Sequence, residues 1–368
     1  MRVLHVITGL NAGGAEHQLR LLLRRMSADC EVATLSNPGV VARAIRADGT
    51  VVHEVLMNGN RDVTVVPRLA RLIRRRGFDL VHTHLYRACV YGRVAARLAG
   101  VPVVATEHSL GDGIIEGRRT SAGVRALYLV TERLGRMTIA VSGVVAARLL
   151  AWGVPAHRIA VIPDGIDPAE FRFDPHLRLT ARSRLGVATG EQVIGAVGRT
   201  VTGKRFDLLV QALPNLPDTV LLLVGDGPAA PALREQAGRL GVADRLVLTG
   251  EATGIRELYC AMDLFASPSP QETFGLAVLE ALASGLPVVY ACCPALDDIP
   301  AGGVALRVDT PEAMPRALAT VLIGLRGHDR VRSAVPPVVD HYDIARLAGA
   351  VTDLYEHIVP SVLEGDRL

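Results

Sequence analysis

The sequence has almost no lysine. Of its 40 lysine and arginine residues, Lys204 is the only lysine, so the remaining 39 are arginines. The 37 aspartate and glutamate residues nearly balance them and leave a formal net charge of +3 over 368 residues. So small an imbalance gives no reason to expect nucleic acid as a partner. The single lysine in a chain that uses arginine everywhere else favours a need for a compact ammonium group at this position, with chance retention as the alternative.

Long apolar runs and paired cysteine motifs are also missing. No apolar stretch reaches the ~18 uninterrupted residues of a membrane span, and the apolar run at the N-terminus is too short for a secretory signal. The five cysteines are odd in number and contain no Cys-x-x-Cys pair, which argues against a disulfide framework and a zinc site. We therefore expect a cytoplasmic protein with reduced thiols.

Apolar segments recur along the chain in two series, with helical patterns between them. Hydrophobic residues make up 49% of the chain, enough for full cores, and the length favours two domains. The first series of expected strands is Val3–Ile7, Glu31–Leu35, Thr50–Val55, Leu80–His82, Pro102–Thr106, Thr138–Val141 and Ile159–Ile162. The second is Val193–Val197, Val220–Val224, Leu246–Leu248, Leu264–Ala266 and Pro287–Tyr290. Strands alternating with helices predict a parallel sheet for each series.

A segment dense in turn-forming residues, 162–168, separates the two series. We predict an α/β fold with two Rossmann-like domains, residues 1–165 and 166–342, and we expect the last helical pattern, 343–368, to return to the first domain. Open α/β sheets bind ligands outside the carboxyl ends of their strands, so the turns that follow the strands are the places to look for a site.

One such turn carries two carboxylates, Glu272 and Glu280, eight residues apart. A helix is expected to begin near Phe274 and to end at Ala283, which places Glu272 at its N-terminus. Unpaired N–H groups and the helix dipole favour anions there, phosphates especially. Glu280 would lie about two turns, ~12 Å, further on, so both carboxylates could line one long ligand. In the alternative, Glu272 only caps the helix and Glu280 is solvated, although the apolar neighbours of Glu280 would make an unpaired charge costly.

Two cations follow the first strand of the second series. Arg199 comes directly after that strand and Lys204 opens the next helical pattern, with Gly198 allowing close approach of a ligand. Cations at the carboxyl end of a strand suit a diphosphate. The alternative is an ordinary loop with surface charges.

The turn after the first strand, residues 9–16, contains Asn11, Gly13 and Gly14 and places bare backbone at a helix N-terminus. It lacks the Gly-x-Gly-x-x-Gly pattern, so it does not indicate a dinucleotide site. Every one of these turns lies at a strand's carboxyl end, which predicts a ligand held between two facing sheets.

Taken in order, these motifs resemble the retaining glycosyltransferases of family 4, which have the two-domain GT-B fold. The Glu272 to Glu280 segment is similar to that family's Glu-x7-Glu motif, and Arg199 and Lys204 match its phosphate-binding pair. Residues 13–16 look like its N-terminal loop, and residues 140–142 and 162–167 look like its interdomain segment. The resemblance covers nearly the whole chain. It implies two Rossmann-like domains that face each other across a cleft, with the acceptor side in the first domain and the donor in the second.

The resemblance also implies a role for each candidate residue. The donor-binding set would be Gly13, Gly14, Gly198, Arg199, Lys204, Glu251, Thr273, Phe274, Gly275, Leu276 and Glu280. The catalytic set would be Glu272, His108, Arg199 and Lys204. Arg199 and Lys204 would neutralise the leaving diphosphate, Glu280 would bind the ribose, and His108 would contact the donor sugar unless it is merely a histidine at a strand end. On the acceptor side we expect Asn11, His84 and Asp112.

The implied reaction transfers a hexosyl group from a nucleotide sugar to a hydroxyl acceptor by front-face attack, with retention of anomeric configuration. No Asp-x-Asp pair follows a strand in the expected way, so we expect no bound metal and no cofactor, and His82 with His84 is too small a ligand set for a metal. The sequence leaves UDP, GDP and other donor nucleotides open, and UDP is favoured because it is the commonest. The acceptor could be a small metabolite, a natural-product core, or a lipid-linked or envelope glycan.

Two rival functions stay open. One is another GT-B enzyme, such as a sugar-nucleotide epimerase or a phosphorylase, and the other is a catalytically silent sugar-nucleotide-binding protein. The basic segment 68–76 could touch an anionic inner membrane face, or it could be a solvated helix face. The preference for arginine and the abundance of alanine and glycine indicate a GC-rich bacterium. The sequence leaves the oligomeric state open.

Overall fold

The computed structural model describes residues 1–111, 113–116, 118–188, 190–252, 254–325 and 332–365. The chain divides into two compact units. Unit 1 is Met1–Gly165 together with the C-terminal helix that begins at Ile344, and unit 2 is Ile166–Asp343.

The elements follow one another in a regular alternation. Unit 1 contains β1 (Arg2–Ile7), α1 (Gly14–Leu23), β2 (Asp29–Thr34), α2 (Val40–Ala47), β3 (Val52–Glu54), α3 (Val65–Arg76), β4 (Leu80–His84), α4 (Tyr86–Ala99), β5 (Val103–Glu107), β6 (Ile114–Ile115), β7 (Arg118–Arg119), α5 (Ala122–Glu132), β8 (Met137–Ala140), α6 (Gly143–Trp152) and β9 (Ile159–Val161). Unit 2 contains α7 (Pro175–Arg184), β10 (Gln192–Val197), α8 (Asp207–Ala212), β11 (Thr219–Val224), α9 (Ala230–Arg239), β12 (Leu246–Leu248), α10 (Ile255–Ala261), β13 (Leu264–Ser267), α11 (Leu276–Ala283), β14 (Val288–Tyr290), α12 (Pro294–Asp298), β15 (Ala305–Arg307), α13 (Met314–Leu325) and α14 (Val338–His341). The last helix, α15 (Ile344–Gly365), packs in unit 1.

Each unit is built on one parallel sheet. The seven-stranded sheet of unit 1 has the order β3-β2-β1-β4-β5-β8-β9, and the six-stranded sheet of unit 2 has the order β12-β11-β10-β13-β14-β15. Both orders reverse direction beside the first strand of their unit, between β1 and β4 and between β10 and β13, which is where such sheets bind ligands. The predicted α/β fold class with two Rossmann-like domains is confirmed, and every expected strand forms. The sequence missed β15 and the short antiparallel pair β6–β7.

Apolar spacing explains why α15 belongs to unit 1. Its residues Ile344, Ala348, Val351 and Tyr355 lie on one helical face and pack against buried residues of the first sheet, Val3 among them. None of the helices in the described ranges is both long and apolar enough to cross a membrane.

Candidate functional site

In unit 2, the loop after β10 and the loop after β13 meet at the reversal point of the sheet. The first loop carries Arg199 and Lys204, and the second carries Glu272–Gly275. Because β10 and β13 are neighbours in the sheet and parallel, their carboxyl ends lie at the same edge. The topology thus brings together the two segments that the sequence singled out.

Lys204 and Glu272 form an ion pair across these two loops. The Lys204 Nζ donates a hydrogen bond to the Glu272 Oε1 at 2.5 Å, with 29% of the lysine and 16% of the glutamate side chain exposed. Arg199 is exposed and makes no ion pair with any residue in the described ranges. Since the ion pair is neutral as a unit, Arg199 supplies the net positive charge at this point of the edge.

Two glycines let neighbouring loops of unit 2 pack backbone against backbone. A Cβ placed on Gly225 would lie 2.2 Å from the Gly198 carbonyl oxygen, and one on Gly227 would lie 2.3 Å from the Thr200 carbonyl oxygen. The Thr200 N–H also donates to the Asp226 carbonyl at 2.9 Å. These contacts fix the backbone on both sides of Arg199, so the fold sets the position from which the Arg199 side chain extends at the sheet edge.

Gly275 shapes the start of α11. Its φ of 111° lies in the left-handed region, and a Cβ there would lie 2.4 Å from the Cys293 Sγ. The helix begins at Leu276, two residues later than the sequence predicts, and its first N–H groups point to the carboxyl edge of the sheet without intrahelical partners. Phe274 is buried and packs edge-to-face on Tyr342, so only its backbone can serve a ligand.

Glu280 lies on α11 and Glu272 lies in the loop that precedes the helix, at its N-terminal end. The Tyr259 hydroxyl donates a hydrogen bond to the Glu280 Oε2 at 2.6 Å. Burial raises the pKa of Glu280 to about 7, against the opposing effect of this hydrogen bond. Sequence reasoning missed Tyr259, because 21 residues separate it from Glu280 and no spacing signals the contact.

The remaining donor-side residue of unit 2, Glu251, is exposed in the turn after β12. This turn joins the loop after β11, because the Gly225 N–H donates to the Gly250 carbonyl at 3.0 Å. The structure therefore places Glu251 at the same edge of the sheet as Arg199, beyond the intervening loop.

In unit 1, Gly13 is the N-cap residue of α1 and Gly14 is its exposed first residue. Asn11 is exposed in the same turn, and its side-chain oxygen would lie 2.3 Å from a Cβ on Gly39. These three residues follow β1, beside the reversal point of the first sheet. Asp112, the third expected acceptor residue, lies outside the described residues.

Three buried histidine rings form a hydrogen-bonded chain across the ends of β1, β4 and β5 in unit 1. The His108 Nδ1 lies 3.3 Å from the Asp164 Oδ1, and the His108 Nε2 lies 3.2 Å from the His84 Nδ1. The His84 Nε2 lies in turn 3.0 Å from the His5 Nδ1. His84, expected on the acceptor side, is thus buried with both ring nitrogens hydrogen-bonded. Sequence reasoning missed His5 and Asp164.

His5 and His84 lie close to a third buried histidine, His82, and the three rings are near enough to one another to hold a metal ion in principle. Both ring nitrogens of His82 are already hydrogen-bonded, Nδ1 to the Tyr355 hydroxyl and Nε2 to the Thr106 hydroxyl at 2.6 Å. Burial lowers the pKa of His5 to about 3 and those of His82 and His84 below their ordinary value. The donor set therefore fits a neutral hydrogen-bonded network better than a metal site.

The basic helix α3 uses several of its arginines within unit 1. Arg68 pairs with Asp62 at 2.9 Å, and Arg76 pairs with Glu31 at 2.6 Å. Arg74 donates to the Leu98 carbonyl. These arginines therefore hold α3 to neighbouring segments of unit 1.

Two family models match the chain. The model for glycosyltransferase family 4 matches residues 12–170, and the model for glycosyl transferases group 1 matches residues 191–326. They cover the two units in turn.

Two relatives are D-inositol 3-phosphate glycosyltransferases. The one from Mycobacteroides abscessus is 33% identical over 228 residues, which are 58% of this chain and 51% of the relative. The one from Xylanimonas cellulosilytica is 30% identical over 307 residues, 76% of this chain and 72% of the relative. The chain thus spans about half the length of the first relative and nearly three quarters of the second.

The fold matches that of Anabaena Alr3699/HepE, crystallised in complex with UDP and glucose, with a TM-score of 0.87 and 21% identity. The match covers 97% of this chain and 100% of that one. The chain belongs to the family 4-like glycosyltransferases, and its two parallel-sheet Rossmann-like units are those of the GT-B fold.

Proposed function

We propose that this glycosyltransferase transfers a hexosyl group from a UDP-sugar to a hydroxyl acceptor, with retention of anomeric configuration and without a bound metal. The observation that carries the proposal is the meeting of Arg199, Lys204 and the α11 N-terminus at the reversal point of the second sheet. Groups of this kind bind a diphosphate and stabilise it as it leaves.

Charge development explains what these groups do in the reaction. Cleavage of the glycosidic bond builds negative charge on the diphosphate and an oxocarbenium-like sugar. Arg199, Lys204 and the first N–H groups of α11 lie at one edge of the sheet before the bond breaks, and they stabilise the leaving charge once the diphosphate competes with Glu272 for the Lys204 ammonium. The choice of UDP is supported by the Anabaena protein, whose structures hold UDP and UDP-glucose.

Retention and metal independence are supported by the same residues. Glu272 is ion-paired with Lys204, which makes its carboxylate a poor covalent nucleophile. Front-face attack, with a donor phosphate oxygen helping to deprotonate the acceptor, needs no such nucleophile. The positive charge that a metal would bring to the leaving group is supplied by the side chains of Arg199 and Lys204.

The other assignments complete the proposal. Glu280 binds the ribose, Glu251 lies by the base, Glu272 and His108 contact the donor sugar, and Gly14 approaches the diphosphate. We place the reaction in the cytoplasm, because all five cysteines are free thiols and three of them are buried. D-inositol 3-phosphate is the first acceptor to test, since both relatives act on it by name.

The test has two steps. A panel of nucleotide sugars is screened by thermal shift, since a donor that binds the native state raises the melting temperature. The stabilising donor is then incubated with D-inositol 3-phosphate and other hydroxyl acceptors, and the anomeric configuration of the product is read by NMR. We expect retention, and inversion would contradict the mechanism. Binding with neither transfer nor donor hydrolysis would point to the silent binding protein, and conversion of the donor to its epimer would point to an epimerase.

A further inference from the structure

His108 is held on both edges of its ring by side chains of unit 1. It follows β5, and its Nδ1 faces the Asp164 carboxylate at 3.3 and 3.5 Å from the two oxygens. Its Nε2 faces the His84 Nδ1 at 3.2 Å. The side chains of His108 and Asp164 are only 6% and 10% exposed. Because each ring nitrogen has a partner, an anionic carboxylate on one side and a neutral imidazole on the other, the two contacts set the orientation of the His108 ring.

The cavity beside Asp164 is too small for a substrate. A cavity of about 30 Å³ is lined by His82, His84, His108 and Asp164 together with side chains of α1 and α15. That volume holds about one water molecule. Asp164 therefore acts on a substrate only through the residue that it holds.

We propose that Asp164 is the positioning residue of His108: its carboxylate fixes the ring through Nδ1 and favours the imidazolium over the neutral ring at the carboxyl end of β5. The inference rests on the proposed function in one respect, the contact of His108 with the donor.

The electrostatics around the ring agree with this geometry. Burial is the largest single influence and lowers the pKa of His108, but the Asp164 carboxylate and its neighbours together outweigh burial and raise the pKa above the ordinary value. Glu107 and Glu16 add to the rise. His84 does not repel the charge on His108, because burial lowers the pKa of His84 and keeps its ring neutral.

The charge of His108 sets the proton positions of the two histidines behind it. When His108 is charged, its Nε2–H donates to the His84 Nδ1, and the His84 Nε2–H must donate to the His5 Nδ1. When His108 gives up one proton to solvent and keeps the other on Nδ1 toward Asp164, both His–His hydrogen bonds reverse direction. The buried rings of His84 and His5 therefore report the state of His108 by their tautomer.

The experiment follows these rings by NMR in the full-length protein with ¹³C,¹⁵N-labelled histidine and no donor. Signals are assigned by single substitutions of the histidines. In the wild type we expect the His108 midpoint to lie above that of a free histidine, ~6.5, with the His84 tautomer changing at the same midpoint. A midpoint below that of free histidine would overturn the proposal without any variant.

Two variants and a control test the cause. Asp164→Asn keeps the shape and removes the charge, so the His108 midpoint should fall by about one pH unit or more. Asp164→Glu keeps the charge and should restore most of the shift. Asp48→Asn is the matched control, because Asp48 is a partly buried carboxylate of unit 1 that pairs with Arg20 at 2.6 Å. It should leave the midpoint unchanged.

Activity separates this inference from the proposed function. The wild-type kcat/KM should fall as the pH rises through the His108 midpoint, and Asp164→Asn should move that fall to lower pH by the shift seen in the titration. An equal loss of activity at every pH, or a titration that Asp164→Asn does not move, would refute the positioning role. A protein with the expected titration but no glycosyl transfer would refute the proposed function alone.

Discussion

Removal of the single lysine tests the leaving-group argument most directly. Lys204→Ala takes away one of two cations at the proposed diphosphate site and leaves Glu272 there without its 2.5 Å partner. Loss of one preorganised group that stabilises developing charge lowers kcat by ~10²-fold or more. The carboxylate left without its partner adds a second penalty, because like charges ~5 Å apart at an effective dielectric constant of ~20 repel by ~3 kcal/mol, which weakens binding of the diphosphate by about a further 10²-fold.

Binding of UDP isolates the second penalty, since UDP lacks the transferred hexosyl group that Glu272 would bind. By calorimetry, we expect Lys204→Ala to weaken UDP binding and the double variant Lys204→Ala/Glu272→Gln to recover at least about tenfold of that loss. Glu272→Gln alone should bind UDP more tightly than the wild type, because it frees the Lys204 ammonium. Two effects that simply add in the double variant would refute the coupling.

Two further variants serve as controls. Lys204→Arg keeps the charge but replaces the compact ammonium with a planar guanidinium, so it should recover only part of the lost kcat. Arg205→Ala removes the neighbouring cation, which already pairs with Glu312 at 2.9 Å, and should change kcat less than threefold or so. A Lys204→Ala enzyme with wild-type kcat would remove this residue from the mechanism.

Two other predictions concern stability. Gly275→Ala should lower the free energy of unfolding by more than Gly302→Ala. Both glycines have positive φ, but only at Gly275 would the new Cβ meet a buried sulfur, that of Cys293 at 2.4 Å. Equal losses of unfolding free energy in urea denaturation would refute this steric overlap. Since the native pKa of Glu280 is raised from 4.5 to about 7, the native state binds more protons than the unfolded state between these values, and stability should fall as pH rises through that window, by up to about 3 kcal/mol. Glu280→Gln should reduce that slope between denaturation curves at pH 5 and pH 8, with the rest contributed by Glu107, whose pKa burial also raises to about 7, and an unchanged slope would refute the prediction.

Local patterns explain how much of the fold could be predicted. A buried parallel strand is a short apolar run, and a surface helix repeats its apolar residues every three or four positions, so both can be recognised without knowing their neighbours. The strands missed, such as β15 with Ala305–Arg307, are three residues or fewer and lie at sheet edges. The start of α11 moved to Leu276 because Gly275 takes a left-handed conformation, which the residues around it do not announce.

The candidate donor site was predictable for a different reason. Arg199, Lys204 and Glu272 each lie in a loop that follows a strand, and the carboxyl ends of parallel strands share one edge of the sheet. Their pairing was not predictable, because 68 residues separate Lys204 from Glu272 and the ion pair depends on β10 lying beside β13.

By itself, the sequence determined two parallel α/β units and the chemical groups at the ends of their strands, because these depend on residues that are close together in the chain. Only the tertiary structure decided which of these groups touch. His5, His84, His108 and Asp164 come from separate segments and become one hydrogen-bonded chain. The strand order β1-β4-β5 makes that contact, and strand order is a property of packing that no local pattern of residues contains.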